Sequence, residues 1–94
     1  MIPIDRSNQR KARNLCNAMW AKIPAERRDD YWPCYICERP VLKSKARWIH
    51  VIEGGGHAAE DTDTNINPAA DMLWHPVGPE CMRRQPALRR AAKQ

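Results

Sequence analysis

The stretch Cys34-Tyr35-Ile36-Cys37 decides how the rest of the chain reads. Two cysteines separated by two residues put both sulfurs on one side of a tight turn, and tetrahedral Zn²⁺ takes such a pair at about 2.3 Å per Zn–S bond. A lone C-x-x-C is half of a zinc signature, so its partners must lie further along. Cys81 and His50 are of the right type. Together they give a closed set of Cys34, Cys37, His50 and Cys81 around one structural Zn²⁺, with no position left for water. His75 and then His57 are the other candidates for the fourth place. A redox pair is the alternative reading of C-x-x-C, but nothing like a βαβ pattern surrounds it.

The chain has 94 residues, no Phe and a formal net charge of +5. That length suits a single domain over residues 1–94 with a thin core, in which a metal staple adds materially to stability. No apolar run approaches the roughly 18 residues needed to cross a bilayer, and MIPIDRSNQRKAR lacks the apolar stretch of a signal peptide. A cytoplasmic protein without a membrane partner is therefore expected. In a reducing compartment, four cysteines read as metal ligands before they read as disulfides.

The net charge conceals an asymmetry. Residues 53–80 carry six acids and no Lys or Arg, whereas residues 81–94 carry five bases and no acid. A basic protein with one acidic segment steers nucleic acid toward its basic faces and away from that loop.

From Asp5 to Ile23 the apolar residues Ala12, Leu15, Cys16, Met19, Trp20 and Ile23 fall at helical spacing, with Asp5 or Ser7 as the cap and Pro24 as the stop. Cys16 lies inside this stripe and reads as a buried thiol. The opposite face carries Arg10, Lys11 and Arg13, which suit phosphate contacts. Trp32 and Tyr35, beside the paired thiols, read as a shield for the site, with stacking on bases as the other reading. Val41-Leu42 and Ala46–Ile52 are the best strand candidates, ending at Gly54-Gly55-Gly56. Alternation there groups Trp48, His50 and Ile52 on one face and Ile49 and Val51 on the other, so His50 is expected to point inward as a ligand would. Residues 53–71 read as a long acidic, Gly-rich loop, and Met72–Val77 as a short strand with Pro76 at an edge. Pro79 opens a C-terminal helix with Cys81 near its start. Pro86 breaks it, leaving Ala87–Lys93 as a further turn or frayed tail.

The spacing of His50, Asn65 or Asn67, and His75 is broadly that of an HNH nuclease, in which a His base activates water beside a divalent metal. Ile49 stands where such motifs carry a metal ligand, no second C-x-x-C brackets His75, and Pro76 follows His75 where the motif needs a helix. Asp61-Thr62-Asp63-Thr64-Asn65 opens like an EF-hand loop but has Ile66 at the required Gly and Met72 at the bidentate Glu.

With these residues in hand, the chain resembles a loose group of small bacteriophage and prophage proteins. They share a C-x-x-C knuckle (Cys34 to Cys37), a strand ending in His with a Gly-Gly turn (Trp48–Ile52, Gly54-Gly55), and a closing Pro76-Val77-Gly78-Pro79-Glu80-Cys81. The likeness covers about residues 33–84, and Glu38 stands where Gly is often found. The resemblance implies a zinc-binding accessory protein acting in a bacterial host cytoplasm, without an established activity.

The sequence thus predicts an α+β, treble-clef-like zinc domain: an amphipathic helix over 5–23 on a metal-binding core over 33–84. The expected function is non-catalytic binding of nucleic acid through Arg10, Lys11, Arg13, Arg83, Arg84, Arg89 and Arg90. The alternatives are modulation of a host protein through the acidic loop and aromatic surface, and the HNH-like nuclease.

Overall fold

A computed structural model describes every residue except Asn8, and of Arg10, Lys11 and Ala12 the backbone alone. In chain order the elements are β1 (Ile2–Pro3), α1 (Gln9–Ala21), β2 (Tyr31–Pro33), β3 (Pro40–Leu42), β4 (Arg47–Ile52), β5 (His57–Ala58), β6 (Trp74–Val77) and α2 (Pro79–Arg84). Short 3₁₀ turns occupy Ala25–Asp30, Glu53–Gly55, Pro68–Ala70 and Pro86–Arg90. All strand pairings are antiparallel: a four-stranded sheet in the order β1-β5-β4-β6, and a separate β2–β3 hairpin. The result is a small α+β fold.

The β-branched run in β4 makes it the central strand. Ile49 and Val51 are fully buried and Ile52 nearly so, while Trp48 and His50 keep partial exposure. The alternation is as expected from the sequence, but the face in the main core is that of Ile49 and Val51; on the other face Ile52 is buried while Trp48 and His50 are only partly so. Ile2, Val77, Leu88 and Met82 complete the core around these residues.

Helix α1 is shorter than the span read from the sequence, beginning at Gln9 and ending at Ala21. Of its stripe, Cys16 is buried and Met19 and Trp20 are partly so, whereas Leu15 remains exposed. Two bonds dock the helix: Cys16 Sγ donates to the Cys37 carbonyl at 2.9 Å, and Trp20 Nε1 donates to the Glu38 carbonyl at 2.9 Å.

Residues 53–71 are not a plain loop. His57 and Ala58 pair with Ile52 and Val51 on one side and with Pro3 and Ile2 on the other. A two-residue strand carries too little pattern to be read from sequence. Gly55 shapes the turn before it, at φ +112, and its carbonyl accepts a 2.8 Å bond from the Tyr35 hydroxyl. A Cβ at Gly55 would lie 2.9 Å from that same oxygen.

The segment after Pro86 is part of the core. Leu88 is fully buried, Ala91 nearly so, and Lys93 exchanges two backbone bonds with Trp48 at 2.7 and 2.8 Å. Frayed residues would do none of this.

Two substitutions test this arrangement. Leu88→Ala is expected to lower the unfolding free energy by about 3 kcal/mol in denaturant melts, where a frayed tail would give almost nothing. Gly55→Ala is expected to cost about 2 kcal/mol or more, because it combines an unfavourable φ with contact against the Tyr35 hydroxyl.

Candidate metal centre

The paired thiols form the tip of the β2–β3 hairpin. Cys34 N–H donates to the Arg39 carbonyl at 2.9 Å and Glu38 N–H to the Cys34 carbonyl at 2.8 Å, closing a tight turn. Glu38 takes φ +66 to do so, the left-handed region where glycine is preferred. The sequence departure at this position is thus a point of backbone strain.

The hairpin tip lies against the chain leaving β6. Tyr35 N–H donates to the Pro76 carbonyl at 2.8 Å, using the free edge of a strand whose proline has no N–H to offer. Gly78 N–H points at Cys34 Sγ at 3.4 Å. A side chain at Gly78 would put its Cβ 2.7 Å from Val41 Cγ2, so glycine allows this close approach. Pro79 then starts α2, and its first turn delivers Cys81.

Cys34, Cys37 and Cys81 thereby come together, with their sulfurs all within 4.8 Å of one another. Cys34 and Cys81 are buried and Cys37 is partly so. Three converging thiols are a donor set for a soft or borderline metal ion. They stand beside a pocket of ≈ 300 Å³ lined by Met19, Tyr31, Val41, Leu42 and Lys45 among others. No disulfide links the four cysteines.

The thiols are electrostatically unequal. Hydrogen bonds from Cys37 and then Cys81 pull Cys34 down to about 2. The same bonds push Cys37 and Cys81 above the ordinary thiol range, since each gives its proton to the Cys34 sulfur. Cys34 is therefore the first of the three to ionise, and Cys37 and Cys81 hold their protons longer.

His50 does not join the cluster. Register explains why: Cys81 follows the Val77 end of β6, which pairs with Arg47, whereas His50 pairs with Trp74 at the opposite end. Three residues of strand separate these positions, roughly 10 Å. His50 Nε2 instead meets Asp71 Oδ1 at 2.8 Å, and its ring stacks on Trp74 with centroids 5.3 Å apart. The Asp71 carboxyl is held below its usual range by the Leu73 N–H and then by His50.

Neither rival histidine takes the fourth place. His75 Nε2 bonds the Met72 carbonyl at 2.7 Å and its ring packs on Tyr35. His57 lies on β5, between β1 and β4. His75 pairs opposite Ile49 and His50 opposite Trp74, and each ring is bonded to a partner of its own, the Met72 carbonyl and the Asp71 carboxylate. Among the described residues, the three cysteines are the group brought together at metal-binding distance.

Of the predicted phosphate contacts, Arg13, Arg83, Arg84, Arg89 and Arg90 are exposed. The side chains of Arg10 and Lys11 lie outside the described residues. Arg83 pairs with Glu80 at 2.8 Å and Arg90 with Glu60 at 3.0 Å, while Lys93 pairs with Asp61 at 2.9 Å. The acidic segment thus folds back onto the basic C-terminal residues. Cys16 and Arg6 contribute more than their sequence positions suggest: the first anchors α1, and the second lies over the Tyr35 ring at 4.2 Å.

Metal affinity should rise with pH, because an ion must expel the protons that Cys37 and Cys81 hold at neutral pH. Up to roughly a hundredfold per pH unit is expected from competition titrations if both protons leave together. Cys34→Ser should abolish binding, whereas Cys16→Ala should keep it. Metal lost from Cys16→Ala would move that thiol into the coordination set. No protein-family model, curated protein or solved structure matches this chain.

Proposed function

We propose that the protein is a non-catalytic zinc-binding accessory protein, of the small phage and prophage kind it resembles, which holds nucleic acid on its basic surface. The convergence of Cys34, Cys37 and Cys81 carries the metal half of this reading. Zinc is favoured over other ions because the donors are thiols, in a fold too small to be held by its core alone. Knuckle, strands and then a ligand from the first turn of a helix is the order of a treble-clef site. Bound there, the ion would fix the hairpin tip to α2, which is a scaffold role and not a catalytic one.

The nucleic-acid half rests on the net charge of +5 and on exposed arginines. Arg13, Arg84 and Arg89 have no ion-pair partner among the described residues, while Arg83 and Arg90 are already paired. The unpaired arginines can give their full charge to phosphates. Those in surface pairs give less, although such pairs are individually weak. A second reading, in which the partner is a host protein, is favoured by the run Met72, Leu73 and Trp74, exposed at 45%, 67% and 47%. Such a partner would bind through a few apolar anchors, with little dependence on salt.

Salt dependence separates the two. Binding to a labelled oligonucleotide should weaken steeply with salt, and Arg13→Ala/Arg89→Ala should reduce the slope of log K against log salt by about two. Arg90→Ala should change it less. Zinc content near one per chain, lost together with folding on chelation, tests the metal. A stoichiometric protein partner that survives nuclease and high salt would replace the nucleic-acid reading with the second one.

A further inference from the structure

Arg6, Gln9, Arg39 and Arg84 line a pocket of ≈ 250 Å³ next to Cys37 and Cys81. Three of them present buried donors, Arg6 Nε, Gln9 Nε2 and Arg39 Nε, that have no hydrogen-bond partner among the described residues. Buried donors are nearly always paired, and one left unpaired costs as much as removing a hydrogen bond's partner. Three guanidinium side chains and the Gln9 amide lining a single pocket favour an anionic acceptor with several oxygens. Gln85, on the same wall, is already engaged: it accepts from Asp5 N–H at 2.9 Å and donates to the Asp5 carbonyl at 2.8 Å.

Charge narrows the ligand. Asp5 is the one acidic side chain on the pocket, and its Oδ1 is turned to the Ser7 N–H at 2.9 Å. The plain alternative is that the arginines merely offset a metal–thiolate centre. Zn²⁺ on three thiolates carries one net negative charge. Three guanidinium charges against that centre and Asp5 leave one positive charge over, which is the charge that a phosphodiester neutralises.

The neighbouring cavity indicates what carries the phosphate. Arg6 also forms a wall of a cleft of ≈ 390 Å³ lined by Trp32, Tyr35, Trp48, Trp74 and His75. Trp74 is 47% exposed, with its ring backed by His50, which Asp71 holds in place. A ring so supported, with its surface turned to solvent, is a stacking platform. Cationic ligands of aromatic cages fit poorly, because Arg6 already lies over Tyr35 and Lys43 over Trp32, at 4.2 and 4.3 Å.

We infer that the arginine pocket binds one phosphate of single-stranded nucleic acid, and that the base attached to it stacks in the aromatic cleft, with Arg6 as the shared wall. This rests on the nucleic-acid reading above and adds to it a specific site and a strand preference. A duplex keeps its bases stacked on one another and can offer the pocket only the phosphate.

The test is fluorescence anisotropy with a short labelled single strand, the same strand as a duplex, and the same strand with abasic sites, using the full chain loaded with metal. Wild type should favour the intact single strand over both others. Arg39→Gln should weaken it about tenfold or more and lower the salt slope by about one. Trp74→Ala should weaken it about tenfold with the slope unchanged, and Trp74→Phe should recover most of the loss. Circular dichroism and metal content establish that each variant is folded. Unchanged affinity in folded Arg39→Gln and Trp74→Ala, with the salt slope still reduced in Arg13→Ala/Arg89→Ala, overturns the site and leaves the broader reading standing. No binding of any strand by wild type overturns both. Arg39-dependent stabilisation by inorganic phosphate in a thermal melt, without oligonucleotide binding, overturns the nucleotide assignment and identifies a free-anion pocket.

Discussion

The fold depends on one close approach, that of the β2–β3 hairpin tip to the chain between β6 and α2. Two backbone donors make it, Tyr35 N–H to the Pro76 carbonyl and Gly78 N–H to Cys34 Sγ, and the missing side chain of Gly78 makes room for it. Once the tip is seated, Cys81 reaches the paired thiols because α2 begins at the next residue. The Tyr35 ring meets His75, and its hydroxyl meets the Gly55 turn. The thiol cluster and the aromatic cleft both follow from that docking. The contact is held by few bonds, so an ion bound by all three thiols would add materially to the stability of a chain this small.

The clustered cysteines were legible because their chemistry is local: a C-x-x-C favours a tight turn, and a Cys just inside a Pro-initiated helix lies close to the chain before it. The fourth ligand was not legible, and His50 shows why. Alternation groups Trp48 with His50 and Ile49 with Val51, but which group faces the core depends on the layer packed against it. Here that layer includes Leu88 and Met82, from a region whose pattern is too short to read. The pairing of His50 with Asp71 likewise joins residues 21 positions apart across a segment without periodicity. Short elements failed for the same reason. β1 and β5 are two residues each: β5 forms on the edge of β4, and β1 in turn on the edge of β5.

Charge was legible in amount and not in placement. The acidic segment reads as a loop free to repel or attract partners, yet Glu60 and Asp61 lie on Arg90 and Lys93. These pairs are exposed and individually worth little, so they orient the segment more than they hold it. Their effect is to divide the arginines into neutralised and available ones. Arg84 is among the available ones and lies beside the thiols, whereas Arg90 is on the quieted side.

The bridge between Trp48 and Lys93 has a consequence for synthesis of the chain. The central strand is made well before Leu88 and Lys93, yet its bridge at Trp48 and its place in the core cluster need both. Ile2 and Asp5 likewise wait for Ala58 and Gln85. A nascent chain cannot therefore complete the core around β4 until Leu88 and Lys93 have followed it, which leaves the apolar Ile49 and Val51 without part of their cover in the interval. A metal ion captured early by Cys34 and Cys37 would have to wait for Cys81, which places metal loading late in folding as well.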